Sequence, residues 1–258
     1  MTTPRIIPCL LLNENGLVKT TKFANPKYVG DPINAIRIFN EKEVDELMVV
    51  DIKASGEKRG PNFDLIEQLA SECFMPLCYG GGIRDMDDVR NLFNLGIEKV
   101  AIQTAVELNP SLIRKIADYY GQQSVVVSVD IKRNWLGKPA LFSNSRTVKY
   151  ESKNWKEYLV NVANQGAGEL LLNAVDRDGV MQGMDLELIS EASKLVDIPL
   201  VAIGGVGSLE DIKKASDAGA SAIAVGSYFV FQGPYKAVLI TYPKYSEIKN
   251  LWKKQIEN

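Results

Sequence analysis

Eight apolar runs of strand length recur along the chain, each followed by a segment with helical spacing. They are IIPCLLL (6–12), ELMVVDI (46–52), MPLCYGG (75–81), KVAIQT (99–104), VVVSVD (125–130), ELLLNAV (169–175), IPLVAIGG (198–205) and AIAVGS (222–227). Near-continuous hydrophobic runs of this kind suit strands buried on both faces, as in a parallel sheet. The helices between them have readable ends. NPSLIRKIADYYG predicts Asn109 as N-cap, Pro110 as first helical residue and Gly121 just past the end, and DMDDVRNLFNLG predicts a helix starting at Asp85 and stopping at Gly96. Eight βα units in 258 residues predict an α/β fold, a (β/α)8 barrel forming one domain over 1–258. A doubly wound open sheet is the alternative.

The chain also repeats itself. GGIRDMDDVRNLFNLGIEKVAIQTA from Gly81 matches GGVGSLEDIKKASDAGASAIAVGSY from Gly204 without a gap. Gly81 falls on Gly204, Asp88 on Asp211, Gly96 on Gly219 and Thr104 on Ser227. Units three and four therefore resemble units seven and eight, as two duplicated half-barrels would.

Composition removes several chemistries. There is no histidine, so His-based triads, His metal sites and the commonest general base are absent. Acid–base work falls to Asp, Glu, Lys, Tyr or Cys. The three cysteines sit in apolar contexts and read as reduced core residues of a cytoplasmic protein, not as a disulfide or metal set. A net charge of −2 gives no general attraction to nucleic acid or anionic membrane, and neither a membrane span nor a signal peptide is legible.

In such barrels, sites lie at the C-terminal strand ends. GGGI at 80–83 and GGVG at 204–207 fall there, where glycine lets backbone N–H groups approach an anion. Thr104 and Ser227, with Gln103 and Gly226 beside them, end the next strands. Twin phosphate sites suit a substrate phosphorylated at both ends. Acids end strands on the same face: Asp51, Asp130, Asp176 and Asp178. Asp130 closes an apolar run, where burial raises a carboxyl pKa toward a working value. At the matching place on the first strand stands Leu11. At the opposite strand ends, Arg5, Glu46, Lys99 and Glu169 precede four strands and could form a neutralised ring around the bottom opening; scattered solvated charges are the alternative.

RIIPCLL, FANPKYVGDP, DELMVVDIKAS, YGGGIRD, IQTAVELNPSLI, VVVSVDIKR, GAGELLLNAVDRDG and AIGGVGSLED together resemble the cyclase subunit of imidazole glycerol phosphate synthase over nearly the whole chain. The resemblance implies a barrel of two half-barrels. A separate glutaminase subunit docks at its N-terminal face. Ammonia passes up the interior to attack a bis-phosphorylated substrate, and a cyclisation of lyase character follows without cofactor or metal. It implies a gate of Arg5, Glu46, Lys99 and Glu169. It also implies substrate and phosphate contacts at Lys19, in a mobile loop, and at Asp51, Gly82, Gln103, Thr104, Asp178, Gly179, Gly205, Gly226 and Ser227, with Asp130 as one of two catalytic aspartates. Gln103 replaces the family's usual asparagine. The second aspartate belongs at position 11, where the family reads Cys-Leu-Asp and this chain reads Cys9-Leu10-Leu11; Thr20 stands where glycine is usual. A divergent branch is similar in this way. Its members work beside a glutaminase and an ATP-dependent sugar amidotransferase to build acetamidino groups on bacterial surface sugars. That branch is the reading favoured here. A histidine-pathway cyclase and a catalytically silent conduit or scaffold are the alternatives.

Overall fold

The computed structural model describes residues 3–144, 150 and 153–253. Within them, eight parallel strands follow one another in chain order and close: β1 (Arg5–Asn13), β2 (Leu47–Asp51), β3 (Leu77–Gly80), β4 (Lys99–Ile102), β5 (Val125–Arg133), β6 (Glu169–Ala174), β7 (Leu200–Ile203) and β8 (Ala222–Val225). The closing pair sets Arg5 against Ala222 and Pro8 against Val225. Each predicted run coincides with one of these strands to within a few residues, and closure makes the fold a (β/α)8 barrel, so the open-sheet alternative falls.

Alternation along each strand sorts the apolar residues into two cores. Ile7, Cys9, Met48, Cys78, Ala101, Val126, Leu171 and Val201 fill the barrel interior, with Leu11, Val50 and Ile203 packed against them. Ile6, Leu10, Leu47, Val49, Val100 and Val127 face outward into the larger core beneath the helices. Helix starts follow capping chemistry: the carboxylates of Asp31 and Asp85 and the Ser208 hydroxyl each accept from backbone N–H groups in the first turn. One start differs from expectation. After β4 and a short helix at Thr104–Leu108, the predicted helix runs Ser111–Tyr120, so Pro110 occupies the cap position; Asn109 instead accepts from the Ser111 hydroxyl at 2.7 Å.

The repeat is exact in its bonding. Asp88 accepts from the Arg84 N–H and Asp211 from the Gly207 N–H, both at 3.0 Å. Gly80 pairs with Ala101 in the first copy, as Ile203 pairs with Ala224 in the second.

Lys19 does not lie in a loop. Residues Gly16–Thr21 and Ala24–Gly30 form an antiparallel hairpin that continues the sheet from the top of β1, Leu11 facing Val18, and Lys19 is buried on it. Its polar, short-period sequence has no apolar run; the end of β1 supplies the ladder. A second ribbon joins β5 from Asp130 to Arg133 with Pro139–Phe142, Asp130 facing Phe142. Among the described residues, no helix is long and apolar enough to cross a membrane.

Candidate active site

Asp130 sits at the top of β5 with its side chain toward the barrel mouth and is only 6% exposed. Burial pushes its carboxyl up to about 7, against the opposing pull of hydrogen bonds from Gln103 and Asn173. The Gln103 amide donates to it at 2.8 Å. An acid poised near neutrality can take or give a proton at working pH. Gln103, expected among phosphate contacts, holds Asp130 in this structure. Asn173 at the end of β6 was not singled out from the sequence. Its Oδ1 is buried and, among the described residues, accepts no hydrogen bond, which leaves an acceptor at the mouth for a ligand N–H. The only sequence signal was a polar residue inside the run ELLLNAV.

Leu11 lines a cleft at the second half-barrel together with Lys19, Gly179, Gly205, Gly226 and Ser227. Here the backbone decides the residue types. Gly205 has φ +100°, and a Cβ there would lie 2.3 Å from the Gly183 carbonyl oxygen; at Gly179 (φ +66°) it would lie 2.0 Å from that of Thr20. The Lys19 ammonium donates to the Cys9 carbonyl at 2.6 Å, and burial lowers its pKa. Asp178 faces the hairpin: its Oδ2 accepts from the Thr20 hydroxyl at 2.8 Å and the Phe23 N–H at 3.1 Å.

In the first half-barrel, Gly82 and Thr104 each lie two residues past the end of adjacent strands β3 and β4. The Gly82 N–H donates to the Ser55 hydroxyl at 3.3 Å, a partner not legible from the sequence. Asp51 is engaged locally. Its two oxygens receive the Arg59 guanidinium at 2.8 and 3.0 Å, and Oδ1 also caps the Lys53 and Ala54 N–H groups. That fixes the loop beneath Gly81 and Gly82.

At the other end of the barrel the four charges meet. Lys99 reaches Glu46 at 2.9 Å and Glu169 at 3.0 Å; Arg5 reaches Glu169 at 2.7 Å and also binds Glu46. The ring alternates in sign and lies against the apolar interior. Its carboxylates are deeply buried, so these are not scattered solvated charges. Immediately inside, burial pushes the Cys78 thiol well up, and below the second-half cleft it pushes the Cys9 thiol up to about 11, so both remain neutral.

Residues 5–236 match the family model described as "Histidine biosynthesis protein". The chain is 49% identical to the "Putative imidazole glycerol phosphate synthase subunit hisF2" of Pseudomonas aeruginosa, over 96% of this chain and 99% of that one. It is 46% identical to a hisF3 protein of Vibrio vulnificus bearing the same form of name, over 96% of each chain. It is 39% identical to the "Imidazole glycerol phosphate synthase subunit HisF" of Dictyoglomus thermophilum, over 98% of each. A closed half-barrel repeat with this match along nearly its whole length belongs to the histidine biosynthesis protein family, among the HisF-like cyclase subunits of imidazole glycerol phosphate synthase.

Proposed function

We propose that this chain is the ammonia-accepting barrel subunit of a glutamine amidotransferase system, diverged to supply nitrogen for amidino groups on a bacterial surface sugar. A separate glutaminase docks on the N-terminal face, and an ATP-dependent sugar amidotransferase is a further partner. One observation carries the reading: a closed ring of Arg5, Glu46, Lys99 and Glu169 stands below an apolar interior, while the top layer holds Leu11. Two cations and two anions cancel, so the ring neither attracts nor traps an ion. The interior beyond it is lined by apolar side chains and neutral thiols, which a neutral ammonia molecule crosses far more easily than ammonium. Leu11 transfers no proton, so only Asp130 remains of an acid–base pair.

The test is coupling. Glutaminase that co-purifies with this chain should deliver its ammonia inward, and Lys99→Ala should uncouple glutamine hydrolysis from use of that ammonia. Unchanged coupling, or no glutaminase bound, sinks the proposal and favours a scaffold.

A second reading, a histidine-pathway cyclase, is supported by Asp130 at about 7 and by the names of the relatives. Turnover of the imidazole glycerol phosphate precursor with saturating ammonium salt separates the two. Loss of one general acid–base group predicts a rate roughly 10²–10⁴-fold below that of a cyclase with both aspartates. A comparable rate would restore the histidine-pathway reading.

A further inference from the structure

We propose that Thr20, acting through Asp178, is a positioning residue that holds the Lys19 ammonium inside the second-half cleft. The proposal rests on the reading of that cleft as an anion site. Three bonds pin the hairpin to one turn. The Thr20 hydroxyl donates to Asp178 Oδ2 at 2.8 Å, the Phe23 N–H to the same oxygen at 3.1 Å, and the Lys22 N–H to the Asp178 carbonyl at 3.0 Å. The contact is close-fitted, since a Cβ on the neighbouring Gly179 would meet the Thr20 carbonyl oxygen. The Phe23 ring also packs on Phe142 of the second ribbon, with centroids 6.1 Å apart. The consequence falls on the residue before Thr20. Lys19 is 4% exposed, its Nζ donates to the Cys9 carbonyl, and the same Nζ would stand 3.2 Å from a Cβ placed on Gly226. Its ammonium therefore lies against the backbone that would cradle a phosphate. Lys22, three residues along the same hairpin, is exposed. Side chains on one short hairpin thus divide between cleft and solvent, and Thr20 supplies the only side-chain hydroxyl in the Asp178 clasp.

Amine labelling reads this directly. Acetic anhydride footprinting of the full chain, quantified by mass spectrometry, should modify Lys22 quickly and Lys19 slowly. Thr20→Val keeps the shape and removes the hydroxyl. A hydrogen bond to a charged acceptor is lost, so the open fraction of the hairpin should rise about tenfold or more, and Lys19 labelling with it, while Lys22 is unchanged. Thr20→Ser restores the donor and should restore protection. Lys19 labelled as fast as Lys22 in the wild-type chain, or alike in the Val and Ser variants, overturns the positioning role. Inorganic phosphate should slow Lys19 labelling further. If it does not while the variants behave as stated, the anion reading of the cleft fails and the clasp stands.

Discussion

At the scale of single residues, Asp130 carries the sharpest expectation. Its folded-state carboxyl is raised from 3.8 to about 7, so the folded chain binds this proton more tightly than the unfolded chain. Stability from this group is full below the unfolded value, falls as pH rises between the two, and stays lost above about 7. Asp130→Asn removes the buried charge and keeps the shape. It should raise the unfolding free energy in urea at pH 8, by up to about 4 kcal/mol as the linkage ceiling, and leave it nearly unchanged at pH 4. Equal effects at both pH values would mean that the carboxyl is not held near neutrality. The sequence made this residue legible because an acid that ends an apolar run is conspicuous. Its partners were not legible: Gln103 and Asn173 reach it from two other strands.

Elements were read best where sequence and local geometry coincide. Each barrel strand announces itself by burial on both faces, and each Gly-Gly end by a backbone that side chains resist. Two glycines separate the causes. Gly137, at φ +75° with nothing within 4 Å of a Cβ, should tolerate alanine at about 1 kcal/mol of left-handed strain. Gly81, at φ +107°, would also drive a Cβ to 2.3 Å from the Asp51 carbonyl oxygen, so Gly81→Ala should cost clearly more, about 2–4 kcal/mol in urea unfolding. Equal costs would show that the loop over Asp51 gives way freely. The Lys19 hairpin was missed because only Leu17, Val18 and Val29 are apolar and buried among its polar residues, too few to stand out as strand runs, although a two-residue turn folds Gly16–Thr21 directly back on β1.

The whole molecule determines the ring and the twinned sites. Spacing alone values isolated surface charges at about 0–1 kcal/mol, but Glu46 is 3% exposed and its Oε1, among the described residues, has no hydrogen-bond partner. Lys99→Ala leaves two buried carboxylates to share Arg5 and should cost about 1–3 kcal/mol, less than the loss of a fully buried pair. Adding Glu169→Gln restores charge balance and should recover part of that cost, a coupling visible in a double-mutant cycle. Additive losses would argue against one cooperative ring. The half-barrel symmetry makes a separate prediction: crystals soaked in sulfate should show density beside Gly82 and Thr104 and beside Gly205 and Ser227. Anion at one place only would point to a substrate phosphorylated at a single end, and density at neither would remove the bis-phosphate reading.

The sequence by itself determined the barrel, its duplication and the residue types at both faces, because strand burial, helix caps and glycine turns are local demands that a linear pattern can express. Only the tertiary structure decided which of those residues meet. Closure gathered Arg5, Glu46, Lys99 and Glu169 from four strands, since side chains of one sign seek the other once water is excluded between them. It also gave Asp51 and Asp178 their loop and hairpin partners, because a buried carboxylate takes the nearest N–H or hydroxyl donors that the folded chain brings to it.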